Sequence, residues 1–284
     1  MNGTDFSPAL YLGSNNTTGH IMGIEVLALA LDGVIFDTED AHLKSCNAAF
    51  ESCGLELRWS MQQFREAARA WGPNNALAAV VEKISPPASP RDAARLLQEK
   101  QRLFRDIILA RVPAVHSGCA QLMEDAIESG CKLAIVTDMP VQTATALLDR
   151  AFGDALTKMF AVVVSGANFN SSSDNGPYHL VLRTVGVEAA QCAAIDGSAP
   201  ALRSAQQAGV WTVASTPYEK DIARISGADL WCPNLQELRN LAGRKTTPSR
   251  AAAFVTFAAL KSSKQGRQPV MPASRQPMPL RASI

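Results

Sequence analysis

The stretch Val26 to Glu39, VLALALDGVIFDTE, decides the fold. An apolar run from Ile24 to Leu31 is dense enough for a strand buried on both faces, and it stops at an acid and a glycine, Asp32-Gly33. A second short apolar run follows and ends at Asp37-Thr38. Glu39 to Cys53 then places Leu43, Cys46, Phe50 and Cys53 at spacings of three and four, which predicts an amphipathic helix closed by Gly54. A buried strand with an acid at its carboxyl end, leading into a helix, is the opening of an α/β domain.

Further along the chain, the pattern divides in two. Met61 to Ala70, Asn75 to Lys83 and Pro90 to Ala110 read as helices, with a break at Ile84 to Pro90 (ISPPASP). No strand-like alternation occurs between residues 38 and 112, so this stretch is expected to be an all-helical insertion. Beyond it, strands alternate with helices. His116 to Gly130 is a helix, Lys132 to Val136 a strand stopping at Thr137-Asp138, and Val141 to Arg150 a helix. Phe160 to Val164 is a strand, Pro177 to Val185 a helix, and Cys192 to Ile195 a strand ending in Asp196-Gly197-Ser198. Ala199 to Ala208 is a helix capped by Gly209, Trp211 to Ala214 a strand, and Leu235 to Leu241 closes the body. Short apolar strands each followed by a helix imply a parallel sheet covered on both faces, whose chemistry sits at the carboxyl ends of its strands. Asp32, Thr137-Asp138 and Asp196-Gly197-Ser198 all lie at such ends and are expected to share one crevice.

These segments resemble the haloacid dehalogenase superfamily of phosphatases, whose first motif is D-x-D-G-(V/T)-(L/I)-x-D-(T/S). Within it the chain is similar to the CbbY-like, beta-phosphoglucomutase-like sugar-phosphate branch. Gly54-Leu55 with Arg58-Trp59-Ser60, Val112-Pro113 with His116-Ser117-Gly118, Leu133 to Thr137, and Gly227 to Leu230 carry that likeness. The resemblance covers roughly residues 24 to 241 and implies a Rossmannoid core with a helical cap inserted after the first strand. On that frame residues 1–23 form a flexible leader, 24–37 and 113–243 the core, 38–112 the cap, and 244–284 a basic tail that reads as disordered.

The same resemblance assigns the site. The nucleophile position falls on Ala30, and the acid/base position on Asp32. The hydroxyl that binds the phosphoryl oxygen falls on Thr137, and the lysine that neutralises the transferring group falls on Ser172. The paired acids that hold magnesium fall on Asp196 and Gly197. A methyl group cannot form an aspartyl-phosphate. With one acid of the pair missing, Mg²⁺ is expected to bind weakly, and without the lysine the phosphoryl charge lacks its partner. Asp138 stands where the family commonly has asparagine, adding negative charge where a phosphate would sit. The retained groups also have structural explanations: Asp32 can accept from turn amides, and Thr137 can cap the helix near Val141. His42, one helical turn beyond Asp37-Thr38, reads as a surface or packing residue, although related mutases keep a histidine there.

The expectation is therefore a protein of this fold that has lost phosphoaspartate-forming hydrolase activity and binds or regulates, with a phosphorylated small molecule as its ligand. The alternative is a magnesium-dependent sugar-phosphate phosphatase with a non-standard site, using water activated by Asp32 or Asp196. Six cysteines (Cys46, Cys53, Cys119, Cys131, Cys192, Cys232) without C-x-x-C spacing suggest free thiols in a reducing cytosol. No apolar run reaches the ~18 residues needed to span a bilayer, and the N-terminus lacks the pattern of a secretory signal, so a cytoplasmic location is expected. The net charge of +1 conceals an asymmetry: from Arg244 onward there are eight Lys/Arg and no acid. That tail is suited to an anionic partner. Within it Ala251 to Leu260 (AAAFVTFAAL) is apolar enough for a short docking helix.

Overall fold

Strand alternation sorts the core into two layers. In β1 (Val26–Leu29), Leu27 and Leu29 point to one face and Val26 and Ala28 to the other, as a period of two requires. The computed structural model describes residues 23–81, 90–166, 169, 176–216, 227–235 and 257–265. β1 sits centrally in a six-stranded parallel sheet, flanked by β2 (Lys132–Val136) and β4 (Cys192–Asp196). β3 (Phe160–Val164) lies outside β2, while β5 (Trp211–Ala214) and the two-residue β6 (Leu230–Trp231) extend the other side, giving the order β3-β2-β1-β4-β5-β6. The chain thus winds outward from β1 in one direction and returns to build β4 to β6 in the other. The crevice at such a switch point lies over the carboxyl ends of β1 and β4.

Helices cover both faces. α5 (Ser117–Glu128) and α6 (Val141–Phe152) bury Leu122, Met123, Ala144 and Leu147 against Leu27, Leu29, Leu133 and Ile135. α8 (Pro177–Val185) and α9 (Ala199–Gln207) bury Tyr178, Val181 and Ala205 against Val26, Ala28, Ala134 and Ala194. A short α7 (Leu156–Met159) precedes β3. The first strand is shorter than the apolar run that announced it. Past Leu29 the backbone leaves the ladder for a tight loop, where Gly33 at φ +74° donates to the Phe36 carbonyl and Phe36 donates back to Leu31. Only glycine enters that conformation without strain.

The insertion between β1 and β2 is helical throughout its described residues: α1 (Glu39–Ser52), α2 (Met61–Trp71), α3 (Ala78–Val81) and α4 (Pro90–Ala110), followed by α5. Cys46, Ala49 and Phe50 of α1, Phe64 and Ala67 of α2 and Leu96 of α4 make a separate core. Trp59 meets Phe50 edge-on, and Ser60 caps α2 reciprocally with Gln63. Of the helix expected over Asn75 to Lys83, the described residues show a turn and the four residues of α3, and residues 82 and 83 lie outside them. The side chain of Asn75 is spent on a partner outside the cap, which holds the segment from Gly72 to Leu77 in a loop.

The expected disorder of the tail does not hold at Phe257–Gln265. This stretch is a helix, α10, packed on α5 with Phe257 and Leu260 fully buried in the main core. Lys264 donates to the Ala190 carbonyl of the body, and Lys261 lies over the Phe257 ring of its own helix. The docking helix expected from Ala251 thus forms over its later part, and residues 251–256 lie outside the described residues. So do most of the break at 84–90, and the closing segment beyond Leu235. All six cysteines are free. No helix among the described residues is long and apolar enough to cross a membrane.

Candidate active site

A cavity of about 500 Å³ opens over the carboxyl ends of β1, β2 and β4 beneath α1 and α2. Ala30, Asp32, Thr137, Asp196 and Gly197 all line it, so five of the six positions singled out from the sequence converge. The sixth, Ser172, lies outside the described residues. Arg65 and Arg69 of α2 contribute to the cap wall, and Arg65 grips Glu39 through two bonds of 2.6 Å.

Asp32 is the most heavily engaged group. One carboxylate oxygen accepts from Thr38 Oγ1 at 2.6 Å and from His42 Nε2 at 3.1 Å, and the other accepts from Asn74 Nδ2 at 3.1 Å. These are side-chain donors rather than the turn amides expected from the sequence. Burial pushes the carboxyl up, but the hydrogen bonds of His42, Thr38 and Asn74 outweigh it and hold Asp32 below its ordinary value. His42 is fully buried, stacked at 3.9 Å on Phe104, and its Nδ1 meets Lys100 Nζ at 3.0 Å. Burial and the Lys100 charge push the imidazole down to about 4, so it is neutral. Because an ionised Asp32 can only accept, the proton sits on Nε2 and Nδ1 receives Lys100. Lys100 completes its three donors with the carbonyls of Pro73 and Asn74, both at 3.3 Å. A buried ammonium and a buried carboxylate are thus bridged by one neutral ring.

Thr137 is buried and accepts from the Met139 amide at 3.1 Å. It does not cap α6, whose N-cap is Pro140 without a side-chain bond. Two further acids crowd the floor. Burial, followed by the charge of Asp32, pushes Asp138 up to about 6. Burial pushes Asp196 up to about 7, against the pull of the Ser198 amide that it accepts at 2.7 Å.

Magnesium prefers octahedral coordination by hard oxygen donors. Both oxygens of Asp32 are already hydrogen-bonded, and one of Asp196 is committed to Ser198. No group of three or more His, Cys, Asp or Glu side chains among the described residues is placed to hold a metal. At Gly197 a Cβ would stand 2.8 Å from the Ser215 carbonyl oxygen, so a second acid has no room there. The donor set does not fit the magnesium site that the resemblance implies. Gly197→Asp is expected to cost about 1–3 kcal/mol of stability through overpacking, and to leave magnesium affinity unimproved. Urea denaturation with and without magnesium chloride checks this, and a stable variant with tighter magnesium binding would refute it.

Sequence reasoning undervalued His42 and missed Lys100 and Asn74. Two of these carried a signal. His42 lies four residues before Cys46 on the stripe that continues to Ala49 and Phe50. Lys100 stands between Leu96, Phe104 and Ile108 at steps of four, a lysine in the middle of a buried face. Asn74 had none, since its partners are 42 and 64 residues away in the chain.

Residues 30–215 match the family model of the haloacid dehalogenase-like hydrolases. The chain belongs to this family. Among characterised haloacid dehalogenase-like proteins it is 26% identical over 227 residues to CbbY of Cereibacter sphaeroides, covering 79% of this chain and 98% of that protein. It is 28% identical over 216 residues to CbbY of Rhodobacter capsulatus, covering 75% and 95%. The structure superposes on a CbbY variant from Rhodobacter sphaeroides in complex with xylulose-(1,5)bisphosphate, with a TM-score of 0.62, 24% identity, and coverage of 73% and 93%. A second structure of that CbbY, in complex with phosphate, gives 0.59 at 25% identity, covering 69% and 87%. The fold is the haloacid dehalogenase-like α/β fold, and the CbbY-like branch is where its relatives lie.

Proposed function

We propose that this chain binds a phosphorylated small molecule between cap and core and does not hydrolyse it through a phosphoaspartate. The observation that carries this reading is Ala30: at the head of β1, on the cavity wall, the chain presents a methyl group. Covalent phosphoryl transfer needs a nucleophilic oxygen there. Asp32 and Thr137 hold the retained acid/base and phosphate-binding positions, but Asp32 is committed to Thr38, His42 and Asn74 and serves to close the cap on the core. Asp196, with one oxygen committed to the Ser198 amide, is too little by itself to make a magnesium site. Arg65 and Arg69 line the cap wall, where Arg65 is paired with Glu39. The CbbY structures with phosphate and with xylulose-(1,5)bisphosphate support the choice of ligand class. A cytosolic location accords with this reading.

One observation favours a second reading. Asp196, raised to about 7, is tuned to exchange a proton near neutral pH, as a water-activating base would be. Phosphate release separates the two. With magnesium and a panel of sugar phosphates including xylulose bisphosphate, the native chain is expected to release no phosphate above background. The same compounds are expected to raise its melting temperature, by linkage worth about 2.7 kcal/mol at a hundredfold excess over Kd. Release by the native chain that Asp32→Asn abolishes would establish the hydrolase reading instead. If there is neither release nor a thermal shift, ligand binding falls and a scaffolding role is left.

A further inference from the structure

The loop Gly72 to Asn75, which leads from α2 to α3, carries two side-chain amides that point to the core rather than into the cap. Asn74 Nδ2 donates to Asp138 Oδ1 at 2.7 Å and to Asp32 Oδ2 at 3.1 Å, spending both its N–H groups on core carboxylates. Asn75 Nδ2 donates to the other oxygen of Asp138 at 3.1 Å. The approach is close enough that a Cβ at Gly72 would stand 3.0 Å from Asp138 Oδ2. From behind, Lys100 fixes the same loop through the Pro73 and Asn74 carbonyls. Asp138 therefore takes donors from two consecutive cap residues, one on each of its oxygens.

We propose that Asp138 is an internal latch: its carboxylate occupies the donor amides of Asn74 and Asn75 and holds the cap on the core without a ligand, in competition with any anion entering the cavity. The latch is poised rather than tight. Charge-assisted hydrogen bonds from Asn74 and Asn75 favour closure. Against them stand burial of the Asp138 carboxylate and its repulsion by Asp32, which its raised proton affinity reflects. Opening would return both Asp138 and Asp32 to water. The groups facing Asp138 are the amides of Asn74 and Asn75, the carboxylates of Asp32 and Asp196, and the ammonium of Lys100, so the balance is set by few contacts. The latch stands apart from ligand binding, while its competition with an anion rests on the reading given above.

Hydrogen exchange on the ligand-free protein tests it. Asp138→Ala removes both acceptors together with the buried charge, and Asn75→Ala removes one donor from the cap side. Both are expected to speed exchange of the Asn75 and Ala78 amides about tenfold or more. The melting temperature of Asp138→Ala should hold or rise, because a repelled buried carboxylate is gone. A merely structural contact would lower protection and melting temperature together, and that result would overturn the proposal. So would unchanged exchange in both variants. With inorganic phosphate as probe, Asp138→Ala is expected to bind about tenfold more tightly than the native chain, and weaker binding would overturn the competition. Phosphate binding by neither protein would sink the ligand-binding reading, and the exchange rates would then decide the latch alone.

Discussion

Replacing Lys100 by methionine is expected to destabilise the protein by about 3–5 kcal/mol, because three buried acceptors lose a donor at roughly 1–3 kcal/mol each. Methionine fills much of the same space, so the loss is electrostatic rather than a cavity. Three acceptors would lose their donor at once: His42 Nδ1 and the carbonyls of Pro73 and Asn74. Asp32 would keep its hydrogen bonds but lose the one fully buried lysine among the described residues. For a chain of this size the melting temperature should fall by on the order of 10 °C. A second readout distinguishes this from general loosening. The Lys100 charge, after burial, is what holds His42 down at about 4, so in the variant the imidazole should titrate higher, under the pull of Asp32. Proton-resolved titration of His42 measures it. A stability change under about 1 kcal/mol with His42 still near 4 would show that the bridge between Lys100 and Asp32 carries no energy.

Asp196→Asn should do the opposite and stabilise the protein at alkaline pH. Burial raises the Asp196 carboxyl from 3.8 to about 7 on folding. Below pH 3.8 it is protonated in both states and costs nothing. Between 3.8 and about 7 the unfolded chain gives up the proton that the folded chain keeps, so stability falls as pH rises. Above 7 the full cost stands, about 4 kcal/mol. Asparagine retains the oxygen that accepts from the Ser198 amide and carries no charge. The variant should therefore melt on the order of 10 °C higher at pH 8, with the gap closing toward pH 4. His42 acts in the other sense, losing stability as pH falls from 6.5 to about 4, but it does so in both proteins and cancels in the comparison. Magnesium chloride at pH 8 should leave the gap unchanged. A gap that closes on adding magnesium would mean that Asp196 holds the ion more tightly than its donor set suggests.

The strands were legible because each is a contiguous apolar run with a sharp end, even at the edge strand β3, where Val163 is exposed. Lys132–Val136, Phe160–Val164 and Trp211–Ala214 could be read to the residue. The convergence of Ala30, Asp32, Thr137 and Asp196 followed from strand ends alone, since parallel strands share one carboxyl edge. What could not be read was the polar wiring between cap and core. Lys100, Asn74 and Asp138 belong to three elements, and whether a buried lysine meets a histidine or a carbonyl depends on how two packed layers close. Local pattern carries no such information. The tail misled for a related reason: its composition is that of a disordered segment, yet the two apolar side chains Phe257 and Leu260, three residues apart, dock the nine-residue helix α10 on α5.

The docking of α10 also changes where the folded unit ends. The family match stops at residue 215, and the helix lies 42 residues further on. Yet Phe257 and Leu260 share one apolar cluster with Leu27 and Leu29 of the central strand. The last described segment of the chain is a stopper for the first, so a boundary drawn by kinship and a boundary drawn by packing enclose different proteins.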